Sequence, residues 1–211
     1  VSLFGVVHEK VALSVHWNIS IVTCFKVVCM GILFGLVGQL FAFLLGKIRF
    51  ISRLYIKNPY LRIFVMGSGL ALLFFVCGQG RYSGLGTNLV QSALNGGTIY
   101  PWDWVCKMLF TVFCLSAGFQ GGEVTPLFAI GASLGLVLAR LFGLPLALGA
   151  ALGYVAVFGA GTNTFLAPIA IGLELFGPQY FYLFFIVCSV SYLFNKDLSI
   201  YSLQEVIHGN E

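Results

Sequence analysis

Between two apolar runs the chain carries the stretch Gly118–Phe128, whose sequence is GFQGGEVTPLF. Pro126 suits the first turn of a helix, because the N–H group that proline lacks is not needed there. The glycines before it allow a tight bend and leave the backbone N–H groups uncovered by side chains. Such a helix N-terminus carries about half a positive charge and attracts anions. We therefore predict that an anion binds here.

Glu123 places an ionisable side chain beside this helix start. A carboxylate is costly inside a membrane, which favours a functional role in anion coupling or proton movement. The alternative interpretation is structural: the carboxylate caps the helix or pairs with a basic side chain. The residues alone leave both interpretations open.

The composition predicts a membrane protein. Of the 211 residues, 59% are hydrophobic and 9% are charged, whereas soluble domains carry about 25% charged residues. The 26 glycines are typical of membrane helices that pack closely. We predict an all-α, polytopic transmembrane protein with short and broken helices.

Several apolar segments are predicted to be helical, and glycine-rich breaks at residues 78–88 and 159–164 interrupt them. The segments cover residues 19–45, 63–77, 89–94, 102–117, 125–142, 144–159, 167–176 and 180–194. Irregular backbone at membrane depth survives only where it is buried in protein or lines a wet cavity. Helices that are broken near the midplane build the substrate sites of transporters. The pattern therefore indicates a transporter.

Spacing along these helices predicts particular contacts. Three pairs of glycines four residues apart predict close helix packing: Gly31 with Gly35, Gly131 with Gly135, and Gly149 with Gly153. Asp103 and Lys107, also four apart, are expected to pair on one helical face. Lys107 could also add positive potential near the anion path.

Five of the eleven basic residues are predicted to lie in one loop between apolar runs: Lys47, Arg49, Arg53, Lys57 and Arg62. By the positive-inside rule this loop is cytoplasmic. A nucleic-acid patch is the competing interpretation, but its position beside membrane helices disfavours a nucleic-acid partner.

The six cysteines are interpreted as buried apolar residues rather than metal ligands or disulfides, because no CxxC pair or nearby histidine accompanies them. They are Cys24, Cys29, Cys77, Cys106, Cys114 and Cys188. We predict no metal and no cofactor. We expect no cleavable signal peptide in the first residues, and the missing starting Met suggests that the sequence is a fragment.

Three motifs in order resemble one family. The stretch Gly118–Phe128 resembles the second-half anion motif of CLC chloride channels and transporters, whose common form is Gly-Gly-x-Phe-x-Pro. Its Glu-Val-Thr version, and residues 159–164 followed by 172–177, are similar to the branch that exchanges fluoride for protons. Residues 199–204 match the segment that holds the family's central tyrosine. The resemblance runs from about Ile19 to the C-terminus.

The resemblance implies an anion site formed by Gly121, Gly122, Glu123, Val124, Thr125 and Tyr201, without catalytic residues. The backbone N–H groups of Glu123 and Val124 are expected to face the anion, with the Tyr201 hydroxyl as a further donor and Thr125 close by. Chloride-type members usually have apolar residues in place of Glu123 and Thr125, which points to fluoride. A small, strongly hydrated anion requires strong donors in place of its water.

A CLC subunit is an inverted repeat of two halves, and residues 1–211 resemble the second half as one membrane domain. The first half, with the gating glutamate of its Gly-Arg-Glu-Gly-type motif, is absent. The resemblance implies these partners: fluoride or chloride, protons, the missing half, membrane lipid and a second subunit. It also implies the inner membrane of a bacterium. Phe165 departs from the family pattern, since relatives often have proline there, and Glu174 is interpreted as structural.

Three alternatives remain. The first is a chloride or general anion channel or antiporter of the same fold. The second is a membrane-embedded enzyme with Glu123 as general base, which lacks a convincing nucleophile or a histidine cluster because His8, His16 and His208 lie near the chain ends. The third is a non-transporting remnant.

Overall fold

The computed structural model describes residues 20–76, 80–195 and 198–201. The described elements are all helical, which confirms the predicted all-α class: α1 (Ile21–Tyr55), α2 (Pro59–Val76), α3 (Thr87–Leu94), α4 (Asp103–Ala117), α5 (Val124–Phe142), α6 (Leu146–Thr162), α7 (Leu166–Phe176), a short 3-10 helix (Pro178–Tyr180) and α8 (Phe181–Leu193). Three of them, α1, α2 and α5, are long and apolar enough to cross a membrane. The predictions for Cys77, the three histidines and the residues after Tyr201 fall outside the described residues.

Helix α1 is longer than the sequence pattern predicted. It begins after Ser20, whose side chain accepts a hydrogen bond from the Thr23 N–H group at 3.2 Å, and it continues ten residues past the expected end at Leu45, to Tyr55. The predicted basic loop is therefore wrong. Three of its five basic residues, Lys47, Arg49 and Arg53, lie on the last turns of α1, while Arg62 lies on α2.

The physical reason is that lysine and arginine end an apolar run without ending a helix, because both are good helix formers. The helical structure is interrupted at Ile56, Lys57 and Asn58, between α1 and α2. Pro59 then opens α2, consistent with its preference for a first helical turn. The consequence for the site is that Arg49 is held on a rigid helix instead of a loop.

Helices α5 and α6 form the tightest contact of the fold. A Cβ atom on Gly131 would overlap the Gly153 carbonyl, and a Cβ atom on Gly135 would overlap the Gly149 carbonyl. The predicted close-packing pairs on these two helices are therefore confirmed. The pair on α1 is confirmed too, since a Cβ atom on Gly35 would lie 2.7 Å from the Ser191 carbonyl oxygen of α8.

The break predicted at residues 159–164 starts later than expected. Helix α6 continues to Thr162 and ends at Asn163, which adopts a left-handed φ of 52°. The glycines before it stay helical and serve packing: a Cβ atom on Gly161 would lie 2.8 Å from Leu127, and one on Gly159 would lie 2.8 Å from Pro168. The glycines that predicted a bend are instead contact points for α5 and α7.

The predicted Asp103–Lys107 pair is wrong. Asp103, at 0% exposure, accepts two hydrogen bonds from Arg81 at 3.1 and 2.6 Å and one from the Tyr82 hydroxyl at 2.8 Å. Lys107 instead donates to the Tyr82 and Gly84 carbonyls at 3.0 and 2.7 Å. The loop before α3 folds over the start of α4 and supplies partners for both Asp103 and Lys107. For Asp103 the partner is the Arg81 guanidinium, whose bidentate contact is stronger than a single hydrogen bond from a neighbour on the same helix.

Replacing Gly131 with alanine tests the α5–α6 contact. Because the added Cβ atom meets backbone at Gly153, the helices must separate, and overpacking of this kind costs about 1–3 kcal/mol. We expect a lower apparent melting temperature in detergent. The matched control is Gly46→Ala on α1, where the new atom meets nothing within 4 Å. Equal melting temperatures for the two variants would contradict the contact.

Candidate anion site

The N-terminus of α5 forms as the stretch Gly118–Phe128 predicted. Glu123 is the N-cap residue and makes no side-chain capping bond, while Pro126 lies in the first helical turn and is buried. In the part of the chain that the structure describes, no carbonyl group outside α5 accepts a hydrogen bond from the N–H groups of Glu123 or Val124. The helix tip therefore keeps donors and partial positive charge available for a ligand.

The glycines before the tip are not explained by packing inside the described chain. Gly118 does need its glycine, since it ends α4 with a φ of 107°. Gly121 and Gly122 have no such φ, and a Cβ atom on Gly122 would meet nothing within 4 Å. Both are exposed. Their missing side chains leave the backbone open to a ligand or to another protein segment.

Glu123 is paired across the fold. Nη2 of Arg49 donates to Oε1 of Glu123 at 2.7 Å, and the two side chains are 28% and 22% exposed. The structural interpretation that the sequence left open, pairing with a basic side chain, is therefore observed. The pair neutralises the carboxylate and turns it toward α1. Arg49 is the site residue that sequence reasoning missed, because we assigned it to a loop.

The segment of Tyr201 is fixed on the end of α6. The Ile200 N–H group donates to the Gly161 carbonyl at 3.0 Å, and the Ser199 hydroxyl donates to the Thr162 carbonyl at 3.2 Å. Tyr201 follows with its own N–H group bonded to the Ser199 hydroxyl at 3.1 Å. The Tyr201 residue is 46% exposed.

Two cavities lie next to the residues described above. Gly121 and Gly122 line a cavity of about 250 Å³ that Lys107 also lines. Arg49 lines a second cavity of about 520 Å³, together with Lys47, Arg53, Ser199 and Ile200. Glu123 lines neither cavity, but it follows Gly122 of the first cavity and binds Arg49 of the second. Val124, Thr125 and Tyr201 line neither cavity.

The described residues contain no group of three His, Cys, Asp or Glu side chains that could hold a metal ion. None of the five cysteines that the structure describes forms a disulfide bond. They are Cys24, Cys29, Cys106, Cys114 and Cys188.

Comparison with known proteins identifies the family. The family model described as voltage gated chloride channel matches residues 1–196. The chain is 42% identical over 214 residues to a chloride/fluoride channel protein of Pseudomonas syringae pv. tomato, covering 98% of this chain and 47% of that protein.

Solved structures agree with this fold. The crystal structure of a CLC-type fluoride/proton antiporter superposes with a TM-score of 0.92 at 48% identity, over 97% of this chain and 52% of that one. The structure of a slow cyanobacterial Cl⁻/H⁺ antiporter, 20% identical, shares the fold with a TM-score of 0.76 over 91% of this chain and 48% of that one. This chain thus spans about half the length of its relatives. The chain belongs to the voltage gated chloride channel (CLC) family of integral membrane proteins.

Proposed function

We propose that residues 1–211 form one membrane domain, the second half of a CLC subunit that exchanges fluoride for protons. The similarity to a CLC-type fluoride/proton antiporter at 48% identity and to a chloride/fluoride channel protein supports the proposal. The observation that carries it is the open helix tip at Glu123 and Val124, beside a carboxylate already neutralised by Arg49.

Charge neutralisation matters because an ionised Glu123 would otherwise repel the anion at the tip. A unit charge about 4 Å away contributes on the order of 4 kcal/mol near a protein surface, far more than the attraction of a helix N-terminus, about 0.3–1 kcal/mol. Arg49 cancels most of this repulsion at 2.7 Å. The tip thereby keeps its positive potential although it carries a glutamate.

In the proposed site, fluoride accepts hydrogen bonds from the N–H groups of Glu123 and Val124. The hydroxyls of Thr125 and Tyr201 add donors that replace the water of a strongly hydrated ion. Gly121 and Gly122 keep the approach free of side chains. Protons cross by a carboxylate of the complementary half.

The complementary half covers the exposed loop at residues 118–122, since uncovered irregular backbone is not stable at membrane depth. Lipid covers the outer face of α2, a helix whose one buried residue is Leu70. The complete subunits form a homodimer in the inner membrane of a bacterium, with Glu174 in a structural role near the contact. The cytoplasmic side is the end at which Lys47, Arg49, Arg53 and Lys57 collect.

Chloride is the second candidate substrate, because the Pseudomonas relative is named for both chloride and fluoride. Thr125 and Tyr201 favour fluoride through their hydroxyls, but the N–H groups of the tip suit any small anion. The distinction therefore depends on ion substitution.

Anion efflux from liposomes tests the proposed function. The full-length subunit that contains this sequence is reconstituted, and fluoride and chloride efflux are recorded with ion-selective electrodes under a proton gradient. We expect fluoride efflux that exceeds chloride efflux and is accompanied by opposite proton movement. Robust chloride flux without fluoride flux would assign the second candidate, and no flux of either ion would favour a non-transporting remnant.

Replacing Arg49 with methionine tests the neutralisation of Glu123. The unpaired carboxylate should repel fluoride and lower its flux by about tenfold, equivalent to about 1.4 kcal/mol. The double variant Arg49→Met with Glu123→Gln should recover part of that flux, because it removes the repelling charge as well. The matched control is Arg53→Met, which removes a basic side chain from the same cavity. An equal loss in the single and double variants would refute the electrostatic role.

A further inference from the structure

The glycines in the loop between α4 and α5, residues 118–122, have little packing around them. In the described chain, a Cβ atom on Gly122 would meet nothing within 4 Å, and one on Gly121 would come no closer than 3.7 Å to Leu115. All five residues of this loop are exposed. Because its middle makes so few contacts, the shape of the loop depends on how its two ends are held.

The first end of the loop is held by side chains of α1 and α2. Nε of Arg62 donates to the Ala117 carbonyl at 3.2 Å, and the Ser52 hydroxyl donates to the Ser116 carbonyl at 2.8 Å. These are the last carbonyls of α4, which lack partners within their own helix. Gly118 then turns the chain away with its left-handed φ of 107°. The point at which the loop leaves α4 is therefore fixed by two other helices.

The next residue of the loop lies against a glycine of α2. A Cβ atom on Gly67 would lie 2.9 Å from Cζ and 3.3 Å from Cε2 of Phe119. The end of the phenyl ring thus occupies the space that a side chain at residue 67 would fill. Ile63, one turn earlier on α2, lies beside Gly118, where a Cβ atom would be 3.5 Å from Cγ1 of Ile63. One face of α2 therefore receives the start of the loop.

The second end of the loop is held by the same pair of helices. Glu123 accepts a hydrogen bond from Arg49 of α1 at 2.7 Å. Helix α1 is joined to α2 by a short connection, residues 56–58. The loop is consequently suspended between two contacts on the α1–α2 pair, with the bare glycines between them.

We propose that α2 positions the anion site, and that the contact of Phe119 with Gly67 sets the loop so that the approach to the N–H group of Glu123 stays open. Phe119 and Gly67 are positioning residues, because they act on the anion through the loop and not by direct contact. Their effect on fluoride binding rests on the proposed function, whereas their control of the loop does not.

Replacing Gly67 with alanine disturbs the loop with little effect on the fold. The added atom meets the far end of the Phe119 ring, which can turn away, whereas at Gly131 it would meet backbone. Alanine is also a better helix former than glycine by about 1 kcal/mol. The matched control is Gly69→Ala, the same change two residues along α2, where the new atom meets nothing within 4 Å.

The position of the loop is measured through a thiol at residue 120. Gln120→Cys is introduced as the sole cysteine of the full-length subunit, and its rate of modification by methyl methanethiosulfonate is recorded in detergent without fluoride. Gly67→Ala should change this rate about twofold or more by altering the exposure of the thiol, and Gly69→Ala should leave it unchanged. In the Phe119→Leu background Gly67→Ala should have no effect, since the shorter side chain does not reach the new methyl group.

The effect on the site is measured as the half-saturating fluoride concentration for efflux from liposomes. Gly67→Ala should raise it about threefold, as expected when one hydrogen bond to a ligand is weakened, with a smaller change in the maximal rate. Gly69→Ala should leave it unchanged. Phe119→Leu should raise it by removing the support of the loop, and adding Gly67→Ala should raise it no further. A purely structural role of Gly67 would not depend on the side chain at residue 119.

The outcomes separate this proposal from the transport function. Equal modification rates in Gly67→Ala and Gly69→Ala overturn the proposal, and so does a Gly67→Ala effect that persists undiminished in the Phe119→Leu background. In a transporting subunit, a shifted loop with an unchanged half-saturating fluoride concentration overturns the positioning role. In a subunit that moves no fluoride, the expected modification rates support control of the loop while the transport function fails. If Gly67→Ala does not fold, Phe119→Leu decides, and a modification rate equal to that of the parent overturns the proposal.

Discussion

A helix that begins inside a membrane protein leaves its first N–H groups without partners, and lipid offers none. At the start of α5 these N–H groups stay without partners in the described chain. Gly121 and Gly122 leave the backbone uncovered, and Glu123 does not cap its own helix. A ligand or a further protein segment is needed to satisfy these donors. The backbone contact between α5 and α6, where Gly131 faces Gly153 and Gly135 faces Gly149, fixes the position of α5 against α6.

The charges around the tip are balanced by residues from distant parts of the chain. Arg49 reaches Glu123 from the last turns of α1, and Arg81 reaches Asp103 from the loop before α3. Lys107 is the exception, because its described partners are two carbonyls. Every neutralised carboxylate and every unbalanced ammonium makes the interior more favourable for a negative ion, which supports the proposed anion site.

Part of the fold and of the candidate site was predictable from short stretches of sequence. Pro126 and the glycines before it indicated the helix start, and the glycine pairs indicated which faces of α5 and α6 pack. The missed features depend on tertiary contacts. A run such as Lys47 to Arg53 has the same composition in a loop and on an exposed helix end, so the length of α1 and the position of Arg49 did not follow from hydropathy. Asp103 pairs with Arg81 and not with Lys107, because the folded chain places the Arg81 guanidinium where two of its N–H groups reach the carboxylate. The prediction for Tyr201 depends only on its motif, and neither cavity includes this residue.

The central claim concerns the N-terminus of α5, which lies within the half of its relatives that this chain covers. The most direct test therefore observes the N–H groups at this helix start. Amide resonances of Glu123 and Val124 in a selectively ¹⁵N-labelled full-length subunit can be followed during titration with sodium fluoride, against sodium gluconate. Both resonances should shift together and saturate, while the amide of Gly143 at the opposite end of α5 stays unchanged. Fluoride flux in the same preparation with unshifted Glu123 and Val124 amides would show that the anion is held elsewhere.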